Sequence, residues 1–243
     1  MDPFEALIKR APDHLRETGR PLVTLSYAQS LDGSISARRG EPLTLSGPQS
    51  LKVTHRLRAA HEAILVGVGT VLADDPRLTV RKVQGRNPRP LILDSCLRIP
   101  LQARLFHRPG PSPWIFTTRK AEGKRCLLVE RAGARLFRMP ADPIGRVHLP
   151  SILDCLGDLG LSSLMVEGGA QVITSFLAQG LADQVVLTIA PRFIGGLPAV
   201  EAQLGLSYGP DGEQVFPRLE NAGWARAGED LIVWGALSYN SRG

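Results

Sequence analysis

The chain has 243 residues, 43% of them hydrophobic, which is enough for one large α/β domain with a substantial core. Its formal net charge is +6, which suits an anionic ligand and equally suits a basic, solvated surface. Dispersed arginines and 5% aromatic residues disfavour nucleic-acid binding, and no stretch nears the ~18 apolar residues of a membrane span.

In chain order, residues 2–16 are expected to form a short amphipathic helix weakened by Pro12. Residues 22–27 read as a first strand. Ser46-Gly-Pro-Gln49 has capping-box spacing with Pro48 in the first turn, opening a helix to about Ala60. Residues 64–68 and 90–94 are buried strands. Short strands are expected at 114–117, 126–129 and 135–137, with a one- or two-turn helix over 118–125. Residues 150–159 are helical, 163–166 a strand, 170–179 a helix and 184–189 a strand. The end turns all-β: 224–227, a Gly-Glu-Asp turn at 228–230, then 231–237. Alternating strands and helices predict a mainly parallel central sheet, and the final hairpin predicts an antiparallel C-terminal edge.

Three constellations carry candidate chemistry. The first is Leu164-Met-Val-Glu-Gly-Gly-Ala170, a strand ending in a carboxylate and two glycines before a helix. Unpaired amides and the helix dipole there favour an anion such as phosphate. A tight strand–helix turn is the plainer reading. No Lys-Ser/Thr follows, so it is not a Walker loop, and it is not a G-x-G-x-x-G fingerprint. The second is Gly67–Arg81, where an apolar strand reaches a Gly-x-Gly-Thr turn, then a charged loop. Asp74-Asp75-Pro76 reads as a capping turn, or as a grip on a polar ring with Arg81 on a phosphate. The third is Ser30-Leu-Asp-Gly33, first a turn signal, which also suits chain passing over a cofactor.

Other chemistries lack their signatures. There is no G-x-S-x-G, no HExxH and no zinc-deaminase pattern. Cys96, Cys126 and Cys155 are odd in number and widely spaced, arguing against a disulfide framework or zinc site and for buried free thiols. His55 and His61 fall on the first long helix as surface or packing residues. The N-terminus has no apolar run of signal-peptide length, so a cytoplasmic location is expected.

Together these stretches resemble the reductase domain of riboflavin biosynthesis, the RibD C-terminal family, from about Leu22 to Leu237. The likeness rests on Ser30-Leu-Asp-Gly33, Leu57-Arg-Ala59, Ile64-Leu-Val-Gly-Val-Gly-Thr70, Leu72-Ala-Asp-Asp-Pro76, Leu78-Thr-Val-Arg81, Leu93-Asp-Ser95, Val166-Glu-Gly-Gly169, and Ala190-Pro191 with Ile194-Gly-Gly196. It implies a three-layer α/β, dihydrofolate-reductase-like fold. It also implies NADPH-dependent reduction of a 5-amino-6-(5-phosphoribosylamino)pyrimidine, as the uracil or the 2-amino-pyrimidinone, to its ribitylamino product. The expected division is an N-terminal helical extension over 1–20 and a reductase domain over 21–243, similar to a stand-alone reductase.

Carried over by matching position, the resemblance assigns Arg58, Asp75, Leu78 and Arg81 to the substrate, an arginine suiting its 5′-phosphate. Glu167 faces the reacting ribose or pyrimidine as the polar catalytic candidate. Ala28, Thr44, Thr70, Asp74 and Ser95 line the NADPH site. Gly168, Gly169, Ala170, Gln171, Val172, Ile173, Thr174 and Ser175 hold its phosphates. Arg119 is our candidate for the 2′-phosphate, with a plain surface residue as the alternative. Two positions depart: bacterial bifunctional members usually carry lysine at the position of Ser26 and tryptophan at that of Thr44, whereas archaeal stand-alone members also tend to lack the pair. The departures leave two other readings open: a same-fold reductase of a pterin or dihydrofolate, and an NADPH-binding module without turnover. A homodimer is implied, with the C-terminal strands as candidate interface.

Overall fold

The computed structural model describes residues 8–204, 207–208 and 214–239. The elements are α1 (Ala11–Thr18), β1 (Leu22–Ser30), β2 (Ser34–Ser36), α2 (Pro48–Ala60), β3 (Ala63–Gly67), α3 (Val68–Asp74), β4 (Arg89–Leu93), a 3₁₀ turn (Arg104–His107), β5 (Trp114–Thr118), α4 (Gly123–Arg131), β6 (Arg135–Met139), α5 (Leu149–Asp158), β7 (Ser163–Val166), α6 (Ala170–Ala178), β8 (Gln184–Ala190), β9 (Leu197–Pro198), β10 (Ser207–Tyr208), β11 (Gln214–Val215), β12 (Arg218–Ala227) and β13 (Asp230–Ser238). They fall into two compact units, Met1–Leu22 with Thr54–Met165, and Val23–Val53 with Val166–Gly243.

In the first unit the strand order is β7-β3-β4-β5-β6. β3, β4, β5 and β6 run parallel, with Val66 opposite Ile92, Ile92 opposite Ile115 and Ile115 opposite Leu136. β3 reads as an apolar run, and β5 as Trp-Ile-Phe followed by two buried threonines, because both faces are buried. Ile64, Val66, Ile92, Ile99, Leu105, Ile115 and Val129 form the core. In the second unit the order is β12-β13-β8-β1. β1 and β8 are parallel, β13 is antiparallel to β8, and β12 closes the edge as a hairpin with β13. The expectation of mostly parallel strands with antiparallel C-terminal edge strands therefore holds.

Several local expectations are corrected. Residues 126–129 are not a strand: they lie in α4, where Cys126 and Val129 are buried while Leu127 and Leu128 are exposed. Four consecutive apolar residues mimic a strand, but only the i, i+3 pair faces inward. The helix expected over 118–125 begins instead at Gly123, because β5 runs through Thr118, whose hydroxyl donates to the Ser95 carbonyl at 2.9 Å. The N-terminal helix was expected over 2–16, of which 1–7 lie outside the described residues. Within the described part, α1 accommodates Pro12 in its first turn, where no amide is needed. The glycines at 67 and 69 do not make a turn into a loop; α3 follows β3 directly.

The start of α2 also departs from its capping box. The helix opens at Pro48, so Gly47 precedes it and has no side chain with which to cap. The acceptor comes from far along the chain: Asp230 Oδ2 takes the Gly47 amide at 2.7 Å and the Ser50 hydroxyl. The three cysteines are free, but Cys96 is exposed in the loop after β4 rather than buried. Among the described residues, no helix is long and apolar enough to cross a membrane.

Candidate functional site

The first unit assembles the arginine-bearing segment expected to meet a phosphorylated ligand. Asp75 closes α3 in left-handed backbone (φ 41°), its amide donating to the Val71 carbonyl. Leu78 is left-handed too (φ 50°) and 2% exposed. Left-handed backbone costs a branched residue free energy that burial must offset. Residues 79–81 are then fixed by side chains from outside the segment. Arg58 on α2 donates to the Thr79 carbonyl at 3.1 Å. Asn87 accepts the Val80 amide at 2.8 Å, and His55 Nδ1 accepts the Arg81 amide at 3.1 Å. The Arg81 backbone is held while the residue itself is exposed.

The remaining first-unit candidates are placed as follows. Thr70 and Asp74 lie on α3, and burial raises the Asp74 carboxyl although the residue stands exposed at the helix end. A Cβ built on Gly69 meets nothing within 4 Å, so the first turn of α3 is open. Asp75 Oδ1 accepts the Arg104 amide at 2.8 Å, so the capping-turn reading is realised and this carboxylate also anchors the 3₁₀ turn. Ser95 has structural bonds as well, its hydroxyl accepting the Val147 amide at 3.1 Å. Arg119 is exposed immediately after β5.

The second unit holds the strand–glycine–helix turn. Glu167 is half-buried directly after β7. Gly168 has no room for a side chain: a Cβ would fall 2.5 Å from Val172 Cβ. Gly169 then caps α6 in extended backbone, its carbonyl accepting the amides of Val172 and Ile173. The first amides of a helix have no partner within it, and no acidic residue occupies the first turn of α6. This is chemistry a dinucleotide phosphate fits. The eight consecutive candidates differ in what they can offer. Ala170, Ile173 and Thr174 are buried, and Thr174 Oγ1 accepts the Glu201 amide at 2.9 Å. Gln171 is exposed, while Val172 and Ser175 are half-buried.

In the same unit, Ser26 and Ala28 share one face of β1, opposite Val186 and Thr188 of β8. Ser26 is buried, Ala28 half-buried and Thr44 exposed in the loop before α2. Ser30-Leu-Asp-Gly33 is tied to Ile194-Gly-Gly196. Asp32 accepts the Ser30 and Ser34 hydroxyls at 2.6 and 2.7 Å and the Ile194 and Gly195 amides at 2.9 and 2.8 Å. These bonds, the hydroxyls first, hold its carboxyl well below the usual carboxylate range.

His55 and Asn87 are bracing residues that the sequence motifs do not single out. Each reaches its amide partner across the chain, over 26 residues for His55 and 7 for Asn87. The available signal was the i, i+3 spacing of His55 and Arg58, which puts both on one helix face.

The first unit thus carries a braced arginine segment, and the second a glycine-bounded helix start suited to phosphate. The family model described as the RibD C-terminal domain matches residues 21–233, and the chain belongs to that family. It is 37% identical over 222 residues to the 2,5-diamino-6-ribosylamino-4(3H)-pyrimidinone 5′-phosphate reductase of Methanothermobacter thermautotrophicus, covering 88% of this chain and 97% of that protein. It is 36% identical over 219 residues to the riboflavin biosynthesis protein RibD of Aquifex aeolicus, covering 88% of this chain but only 57% of that longer protein. Among solved structures, the riboflavin biosynthesis reductase of Saccharomyces cerevisiae superposes with a TM-score of 0.70 at 27% identity, over 95% of this chain and 100% of the other.

Proposed function

We propose that this chain catalyses the NADPH-dependent reduction of 2,5-diamino-6-ribosylamino-4(3H)-pyrimidinone 5′-phosphate to its ribitylamino product, a step of riboflavin biosynthesis. The observation that carries this reading is the similarity to the Methanothermobacter reductase across 97% of that protein. The geometry supports it from the substrate's side: His55, Arg58 and Asn87 fix the backbone of residues 79–81 and leave Arg81 at the surface, as capture of a phosphate requires. The Ser26 and Thr44 departures agree with a substrate reduced before deamination.

NADPH, when bound, supplies the hydride that C1′ of the ring-opened ribosylamino imine accepts. The amides at the start of α6, in the stretch from Gly168 through Ser175, would hold its phosphates, with Gly168 letting the turn close onto Val172. Ala28, Thr44, Thr70, Asp74 and Ser95 would line the rest of its site, and Arg119 would meet the 2′-phosphate. The imine nitrogen takes a proton as C1′ is reduced, and Glu167 holds or relays it. Arg58, Asp75, Leu78 and Arg81 position the substrate, and such positioning supplies a large share of the rate. The working form is a cytoplasmic homodimer joined through β12 and β13, an edge hairpin on which Trp224 is 73% exposed.

The test is NADPH oxidation with the diaminopyrimidinone phosphate, its deaminated counterpart and dihydrofolate assayed in parallel. Turnover with the first substrate and little with the others is expected. Turnover confined to dihydrofolate, or NADPH binding with no turnover at all, would overturn the reading.

A further inference from the structure

Arg108 is a buried cation that nothing among the described residues neutralises. It is 8% exposed. Both terminal nitrogens donate to the Pro88 carbonyl at 3.0 Å, and its Nε is buried without a partner. Burial first, and then the charges of Arg58 and Arg89, lower its pKa to about 10, so it stays charged at neutral pH. Arg89 has a π partner, lying 4.5 Å over the Trp114 ring. Arg108 has neither an aromatic face nor a carboxylate among the described residues. An apolar side chain would fill the same space without the cost of a buried charge, so what arginine adds here is the pair of bonds to Pro88 and the charge itself.

Its position gives that charge a use. Pro88, whose carbonyl it holds, follows Asn87. Asn87 accepts the Val80 amide at 2.8 Å and donates to the Pro109 carbonyl at 3.1 Å. Arg108 is therefore tied through Pro88 and Pro109 to Asn87, the residue that holds the Val80 amide, and its charge interacts with that of Arg58. A positive charge placed there, with low-dielectric surroundings, favours an anion bound beside Arg58 and the 79–81 segment that Arg58 holds.

We propose that Arg108 is a specificity-determining residue: its buried charge joins Arg58 and Arg81 in selecting the phosphorylated substrate over its dephosphorylated counterpart. The inference rests on the proposed function. The test compares kcat/KM for the two substrates in wild type, R108Q and R108K. R108Q should cut the preference for the phosphorylated substrate by about tenfold, mostly through KM, while activity on the dephosphorylated one persists. R108K keeps the charge but not the paired bonds to Pro88, and should retain most of the preference. A merely structural role would lower both substrates equally in both variants, and that result overturns the proposal. If R108Q does not fold, R108M, which removes the charge but keeps an apolar chain of similar length, takes its place: the same loss of preference supports the role, and an unchanged preference refutes it. A wild type inactive on both substrates overturns the proposed function and this inference together, whereas an active wild type with unchanged preference in R108Q overturns only the role of Arg108.

Discussion

Glu167 and Arg81 are assigned separable tasks, and substitution should separate them. Glu167→Gln keeps the size and removes the ionisable group, so NADPH affinity should hold while turnover falls by about 100-fold or more. Fluorescence titration and steady-state rates check both halves, and normal turnover would remove Glu167 from the chemistry. Arg81→Ala should raise substrate KM more than any other single change in the segment. His55 acts one step back. Its Nδ1 accepts the Arg81 amide, so that nitrogen carries no proton in this arrangement. His55→Phe leaves the amide without its acceptor, at a cost of about 1–3 kcal/mol. KM should rise toward the Arg81→Ala value with kcat little changed, and His55→Gln, which restores an acceptor, should recover part of it.

Two elements depend on local fit. The turn into α6 works because Gly168 has no Cβ, which would sit 2.5 Å from Val172 Cβ. Gly168→Ala must displace the first turn of α6, costing about 1–3 kcal/mol. NADPH affinity should fall with it, and adding Val172→Ala should restore part of both, as melting and binding titrations would read. The second element is the clamp of Asp32 on Ile194 and Gly195. Its carboxyl is lowered in the fold, so its contribution is full at neutral pH and is lost as the pH falls below the ordinary aspartate range of about 4. Protection factors against hydrogen exchange at residues 31–36 and 194–199, relative to the intrinsic rate at each pH, should therefore fall in acid, and Asp32→Asn should blunt that dependence. An unchanged profile in the variant would assign the acid response elsewhere.

At the scale of the whole molecule, the parallel strands and the terminal hairpin were legible because burial writes an apolar run on β3 and on the first three residues of β5, and Gly228 (φ 69°) marks the hairpin turn. Short elements failed where one pattern serves two structures. Residues 126–129 looked like a strand because four apolar residues stood together, and α3 was hidden behind glycines that usually break helices. The candidate residues were legible by resemblance, but their bracing was not. His55 to Arg81, Asn87 to Val80 and Asp230 to Gly47 are contacts between segments, and no local spacing encodes them. The proposed homodimer is tested at this scale by Trp224→Glu. Wild type should sediment as a dimer and the variant as a folded monomer, whereas a monomeric wild type would refute the assembly.

The most direct test of the central claim is the rate of NADPH oxidation by the purified chain with freshly prepared 2,5-diamino-6-ribosylamino-4(3H)-pyrimidinone 5′-phosphate. The account predicts stoichiometric formation of the ribitylamino product, with the deaminated substrate turned over more slowly. NADPH binding with no oxidation on either pyrimidine would contradict it.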